Sequence, residues 1–335
     1  MIPFGIGYQK VSNWVGVNSG GESMPQTTCR AALCAIAILF AVATPTAQAT
    51  PRAAERTDAC HTWPATTVAS GLGALENLEP DGHGGFYLSA IEDGRLLHVD
   101  AHGHSDTVLS GLDHPAGLRL SGRDLYFLTG NNPGTSRGTL QRLDLSSGEA
   151  TTLLTGLSSP NGLLFLPDGD LIFSQLSIPP KGIDRYNPTT GLHTRSWSDT
   201  PLPNGLALTP DRTALFTENS ALSTILQLPL DNPDATSTVA RLPGLIAGSD
   251  DMQATRDGTL YVAGDTAGEV YAVNTDTGRV CTIARGLSKL ALPPNGPTSV
   301  RVGPGPNGNA LYVTAFDGAL RRLQPPPGTD LTPVV

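Results

Sequence analysis

One phrase recurs six times along this chain. It reads NGLLFLPDGDLIFSQ from Asn161 and NGLALTPDRTALFTE from Asn204. Looser copies begin at Glu76 (ENLEPDGHGGFYLSA), Ala116 (AGLRLSGRDLYFLTG), Asp250 (DDMQATRDGTLYVAG) and Thr298 (TSVRVGPGPNGNALYVTA), so the interval is 40 to 48 residues. Each copy is a short apolar strand, a polar turn that often contains Asp-Gly, and a second strand of Leu-Tyr-Val type. A third strand follows (GRLLHVD, TLQRLDL, EVYAVN), then a more polar fourth that ends near Gly-Leu (TVLSGL, TTLLTGL, CTIARGL). Four antiparallel strands repeated at this period define a β-propeller. A β-sandwich pair predicts no such fixed interval. Helical periodicity is absent after residue 50, and 28 prolines and 38 glycines punctuate the strands. Six copies therefore predict an all-β, six-bladed propeller with four antiparallel strands per blade. The last blade has only three strands before the proline-rich QPPPGTD. TTVASGL at 66–72 matches CTIARGL in form and is expected to supply the fourth, which closes the ring and removes an exposed sheet edge.

The ends of the chain read differently. Residues 24–49 carry a basic residue, an apolar run from Ala31 to Ala43 and the small-residue exit AQA before Thr50. This is the pattern of a secretory signal peptide cleaved after Ala49. Residues 1–23 read as an upstream extension ahead of Met24, and residues 50–335 as a single propeller domain large enough for a buried core. The apolar run is short for a membrane span, and no other stretch is long enough. A formal net charge of −9 with no basic run argues against nucleic-acid binding. No basic amphipathic helix suits a membrane surface. The expectation is a secreted monomer acting on a small molecule. Cys29 and Cys34 leave with the signal. Cys60 and Cys281 remain, an even pair in an exported chain and therefore a predicted disulfide. The repeat places Cys281 in the outer strand of blade five and Cys60 just before the strand donated to blade six.

In a propeller the first strand of each blade starts at one mouth of the central tunnel. Equivalent positions then surround the axis. The six landmark positions are Glu76, Ala116, Asn161, Asn204, Asp250 and Thr298, and Glu76, Asn161, Asn204 and Asp250 carry oxygen ligands. Two carboxylates and two amide oxygens suit a hard divalent cation, Ca²⁺ first, with Mg²⁺ and Mn²⁺ as alternatives. Zn²⁺ fits less well without His or Cys. Asn-Gly is also a strong turn signal. In Pro160–Leu163 and Pro203–Leu206 the expected arrangement is a turn whose proline sets the entry, whose glycine permits close backbone approach, and whose asparagine is held at the axis.

The motifs ENL, PNGL, PNGL and GSDDMQATRDGTLYVAG, in this order and spacing, resemble the regucalcin/gluconolactonase (senescence-marker-protein type) family of six-bladed propellers, distantly related to the paraoxonases. The resemblance runs from Glu76 to Leu323. It implies that Glu76, Asn161, Asn204 and Asp250 bind one divalent metal, and that the activity is hydrolysis of a lactone or related ester. A cation at the mouth would polarise the carbonyl and acidify a water, and an adjacent carboxylate would take the proton. That base is Asp250 or, because this chain departs from the family in having a second aspartate, Asp251. No G-x-S-x-G elbow is present. His83, His98 and His104 read as surface residues. His114, two residues before the blade-two landmark, is a candidate for the substrate site, as are Glu218 and Asn219 at the end of a second strand. The loops TGNNPGTSRG and QLSIPPKG open on the landmark face and are expected to form the pocket wall. Two other classes stay open. One is a non-catalytic exported binding module with structural calcium. The other is a non-hydrolytic enzyme of the strictosidine-synthase type, a group not expected to carry the full Glu-Asn-Asn-Asp set.

Overall fold

The first strands of the six blades are Leu75–Pro80, Leu118–Ser121, Pro160–Phe165, Pro203–Leu208, Ser249–Ala254 and Pro297–Gly305. Each packs against the next, and the sixth returns to the first, so the six enclose a tunnel. This is seen in a computed structural model that describes residues 60–244, 247–287 and 295–335. Among those residues every regular element is a β-strand, and the strands form six four-stranded antiparallel sheets. The six-bladed propeller expected from the repeat is the observed fold. The predicted signal peptide and upstream extension lie outside the described residues. No helix among the described residues is long and apolar enough to cross a membrane.

The blades follow from local chemistry. The aspartate of the repeated polar turn closes the first hairpin through its own side chain. Asp81 Oδ1 accepts from His83 N and Gly85 N, Asp168 Oδ1 from Asp170 N, Asp211 Oδ1 from Thr213 N and Asp257 Oδ1 from Thr259 N. This is the Asx-turn pattern. Gly169 and Gly258 follow two of these aspartates at φ of 89° and 83°, a region that suits glycine. Second strands lie between the first and third strands of each blade and are mostly buried. In Leu171–Gln175 all five side chains are buried, whereas the fourth strand Glu149–Leu157 is largely exposed. Leu163, Phe173, Ala116 and Leu140 share one core cluster across blades two and three. Burying each Leu or Phe fully contributes about 1.5–3 kcal/mol.

Ring closure is as expected, with a small shift in bounds. Blade six is ordered Pro297–Gly305, Gly308–Ala315, Leu320–Leu323 and then Ala65–Ala69 at its outer edge. Ala65 pairs with Leu323 and Thr67 with Arg321. The strand stops at Ala69 because Gly71 turns to a φ of 75°. Just upstream, Trp63 N donates to Ile283 O and Cys60 is bonded to Cys281, with Cα atoms 5.2 Å apart. The entering chain is thus clipped to blade five before it completes blade six. At the other end, Val334 N donates to Ala254 O and Pro333 bridges to Thr255, so the tail runs along the first strand of blade five.

Candidate active site at the tunnel mouth

The Asn-Gly pairs are not reverse turns. Both lie inside first strands, at a bulge. In blade three Pro160 pairs with Gln175 and Leu163 with Phe173, so Asn161 and Gly162 together oppose Ser174 alone. Blade four repeats this, with Asn204 and Gly205 opposite Glu218. The same register shift falls at Glu76, at Asp250–Asp251 and at Thr298. A bulge re-aims a side chain that regular pairing would direct into the sheet. Neither Gly162 nor Gly205 takes a positive φ. Their role is close approach, as expected. A Cβ on Gly162 would sit 2.2 Å from Asn204 O, and one on Gly205 would sit 2.6 Å from Asp251 Cα.

Four landmark side chains meet in two pairs. Asn161 Nδ2 donates to Glu76 Oε1 at 2.8 Å, and Asn204 Nδ2 donates to Asp250 Oδ1 at 2.9 Å. All four are buried. Burial pushes Glu76 up to about 8; the Asn161 hydrogen bond opposes this, and the charges of Asp265 and Asp251 add to it. Asp250 is raised well above the ordinary carboxylate range, first by burial and then by repulsion from Glu76, Asp265, Asp251 and Glu218. Thr298 instead ties blade six to blade one, its Oγ1 donating to Leu75 O at 2.8 Å. Among the described residues no three His, Cys, Asp or Glu side chains form a metal cluster by themselves. The ring here is half amide. Glu76 Oε2 and Asn204 Oδ1 are buried oxygens with no donor among the described residues. An all-oxygen ring with bare acceptors and carboxyls held above their usual range fits a hard cation.

Asp250 and Asp251 occupy different environments. Asp251 points down the axis, where its Oδ2 accepts from Asn77 Nδ2 at 2.8 Å and from Ser299 Oγ at 2.5 Å. Arg301 Nη2 lies 2.8 Å from the same oxygen, off line for a good hydrogen bond, so the contact is an ion pair. Oδ1 takes Met252 N. Burial alone would raise Asp251, but Arg301, Arg119 and these hydrogen bonds outweigh it and hold the carboxyl below its usual value. Among the described residues, the Asp250 carboxyl has only the amide of Asn204.

The residues expected at the substrate site are dispersed. Glu218 is fully buried, and its Oε1 accepts the bulge amide Gly205 N at 2.9 Å. Ser89 and Ser174 do the same for Asn77 N and Gly162 N. Glu218 is therefore the blade-four version of a structural cap, with Oε2 unpartnered and its acidity suppressed chiefly by burial. Asn219 caps its own turn, Oδ1 accepting from Leu222 N. His114 pairs with Asp113 at 2.8 Å, and its carbonyl accepts from Asn131 N. The loop TGNNPGTSRG does reach the ring, because Asn131 Nδ2 donates to Glu76 Oε1 at 2.9 Å.

Sequence reasoning passed over Asn131 and the axial residues Asn77, Ser299 and Arg301. The axial set had a signal. Asn77 and Glu79, Asp251 and Gln253, Ser299 and Arg301 are polar residues two apart on apolar first strands, and a two-residue period puts them on one face. Asn131 had none. An apolar-walled cavity of about 390 Å³ lies at the opposite end of the tunnel, among Glu79, Arg119, Leu164 and Val334. It shares no side chain with the oxygen ring.

Residues 179–317 match the family model described as SMP-30/Gluconolactonase/LRE-like region. The resemblance drawn from the motifs is borne out. No curated protein matches the chain in sequence. Among solved structures, a gluconolactonase from Xanthomonas campestris superposes with a TM-score of 0.62 at 18% identity, covering 78% of this chain and 89% of that one. A regucalcin described as a calcium-binding protein, from Agrobacterium tumefaciens, gives 0.62 at 17%, covering 78% and 94%. A luciferin-regenerating enzyme gives 0.65 at 13%, covering 81% and 98%. At these identities the superpositions establish the fold alone.

Proposed function

We propose, from the resemblance to the SMP-30/gluconolactonase/LRE-like family and from the oxygen ring at the tunnel mouth, that this protein is an exported, cation-dependent hydrolase that opens a lactone or a related small ester. The observation that carries this is the pair of donorless buried oxygens, Glu76 Oε2 and Asn204 Oδ1, on a ring whose two carboxyls are both raised. Export is inferred from the signal-like residues 24–49 and from the Cys60–Cys281 bridge.

Glu76, Asn161, Asn204 and Asp250 would hold the cation. When bound, a divalent ion, Ca²⁺ first, supplies Lewis acidity toward a carbonyl oxygen and the positive charge the ring lacks. Asp250 is assigned as the general base. Asn204 holds one of its oxygens, and its other oxygen accepts no hydrogen bond from the described residues, so it can take a proton from an attacking water. Asp251 is assigned a positioning role. Both its oxygens are committed to Asn77, Ser299, Arg301 and Met252, and its carboxyl is held ionised and fixed. It anchors the bulge that presents Asp250.

A panel of sugar, alkyl and aryl lactones, assayed before and after chelation and again after Ca²⁺, Mg²⁺ or Mn²⁺ is restored, tests the reading. Turnover lost on chelation and recovered with one ion supports it. Full turnover in chelated protein sinks it. Cation binding with no turnover on any ester would favour the rival class, a binding propeller with a structural ion, because fold alone does not decide activity.

A further inference from the structure

The ring of landmark side chains has a gap. Blade two contributes Ala116, a methyl group with nothing to offer a cation. The same blade fills that sector from its second loop. Between the strands Asp124–Thr129 and Gly138–Asp144 the chain passes over the mouth, and Asn131 Nδ2 reaches Glu76 Oε1 at 2.9 Å. That oxygen also takes the 2.8 Å bond from Asn161. Two amides from two blades converge on one carboxylate oxygen, while Glu76 Oε2 stays bare.

The backbone around Asn131 is tied at several points. Asn131 N donates to His114 O at 3.2 Å, two residues before Ala116. Gly130 N donates to Asp113 O, and Ser159 Oγ from blade three donates to Asn132 O at 2.7 Å. The loop is pinned to its own blade and to the next with Asn131 over the vacant sector. A carboxamide has two N–H donors and one acceptor oxygen. The contact with Glu76 uses a donor, and the oxygen accepts no hydrogen bond from the described residues.

We propose that Asn131 takes the blade-two place in the ring. It is a fifth side chain of the cation site, orienting Glu76 through its amide donor and offering its own oxygen to a hard divalent ion. This rests on the cation-site reading given above. It assigns the blade-two loop a part in ion affinity as well as in forming the pocket wall.

The test is calorimetric titration of CaCl₂ into chelator-treated protein, with folding of each variant checked by circular dichroism and thermal melting. Asn131→Ala should weaken Ca²⁺ binding by about tenfold or more, the loss typical when a partner that orients a metal ligand is removed. Asn132→Ala, in the same loop, where Asn132 is tied through its backbone to Gly130, Thr135 and Ser159, should bind as wild type does. Asn131→Asp separates a ring member from a loop prop. It loses the donor to Glu76 and sets two carboxylates together, so the cation-free protein should melt lower. It also adds a charged oxygen, so Ca²⁺ should bind more tightly than to Asn131→Ala and raise the melting temperature further. Three results would overturn the inference while leaving the cation site standing: Asn131→Ala within twofold of wild type, Asn131→Asp as weak as Asn131→Ala, or Asn132→Ala as weak as either. Wild-type protein that takes up no Ca²⁺, Mg²⁺ or Mn²⁺ fails differently. It removes the cation site itself and this assignment with it.

Discussion

Asn161 and Glu76 are joined side chain to side chain by a 2.8 Å hydrogen bond across 85 residues of sequence and past the whole of blade two. Ala116, the intervening landmark, is buried in the apolar cluster between blades two and three and offers neither of them a polar partner. Asn204 and Asp250 form the matching pair across 46 residues. Each carboxylate therefore has an amide donor, and Glu76 Oε2 and Asn204 Oδ1 accept from none of the described residues.

Asn204→Ala removes one neutral oxygen from the ring and should raise the Ca²⁺ dissociation constant by about tenfold. Asp250→Asn removes a charge and the proposed base together. Its kcat should stay depressed by about 10²-fold or more at saturating cation. Calorimetry and steady-state kinetics on both variants check this. Full kcat in Asp250→Asn at saturating Ca²⁺ would show that the base is elsewhere.

The neighbouring aspartates should respond with opposite signs in chelated protein. Asp250 is buried and repelled by other carboxyls, so Asp250→Asn relieves the fold and should raise its stability. Asp251 is ion-paired with buried Arg301, so Asp251→Asn leaves that guanidinium only the longer 3.9 Å ion pair with Glu79 and should destabilise by about 3–5 kcal/mol. Urea unfolding in EDTA reads both. The reverse order would contradict the assignment of roles.

Glu76 sets a pH dependence for chelated protein. Its carboxyl is pushed up to about 8 from an ordinary 4.5. Below the unfolded value both states hold the proton and stability is undiminished. Between 4.5 and about 8 the unfolded chain releases it first, so stability falls as pH rises, by a few kcal/mol in order of magnitude, and the loss is complete above 8. Asp250 shifts in the same direction. Asp251 works oppositely and loses its contribution only as acid titrates it below its usual carboxylate range. Melting in EDTA should therefore be lower at pH 8 than at pH 5.5, and added Ca²⁺ should rescue more at pH 8. A chelated protein more stable at pH 8 would rule this out.

The Cys60–Cys281 bridge closes a loop with a sequence separation of 221 and holds the entering chain beside blade five. Cys60→Ser with Cys281→Ser should lower stability by up to about 5 kcal/mol on the chain-entropy model. Unfolding should then begin with loss of the Ala65–Ala69 strand from blade six, seen as early amide exchange there. Mass spectrometry of unreduced protein should find neither cysteine labelled by a thiol reagent.

Much of the architecture was legible because propeller strands are specified locally. Alternating apolar residues, an aspartate that closes its own turn and a fixed period are properties of 15-residue segments, and the ring is their repetition. That period also identified Glu76, Asn161, Asn204 and Asp250 as one constellation. The bulge was not legible, because Asn-Gly in isolation is a turn signal and only pairing to Ser174 or Glu218 turns it into strand. Asn131 was hidden for a related reason. It lies in an aperiodic loop, and its partner Glu76 is 55 residues away.

The sequence by itself determined the number of blades, the strand that closes the ring, the cysteine pair and the positions that face the tunnel mouth, since each follows from short-range pattern or from its repetition. Only the tertiary structure decided which of two adjacent, chemically identical aspartates meets the mouth and which is locked in the axis. The difference between Asp250 and Asp251 comes from Asn77, Ser299 and Arg301, side chains on other blades. Burial and long-range electrostatics act on positions in space, and no local pattern in the chain encodes them.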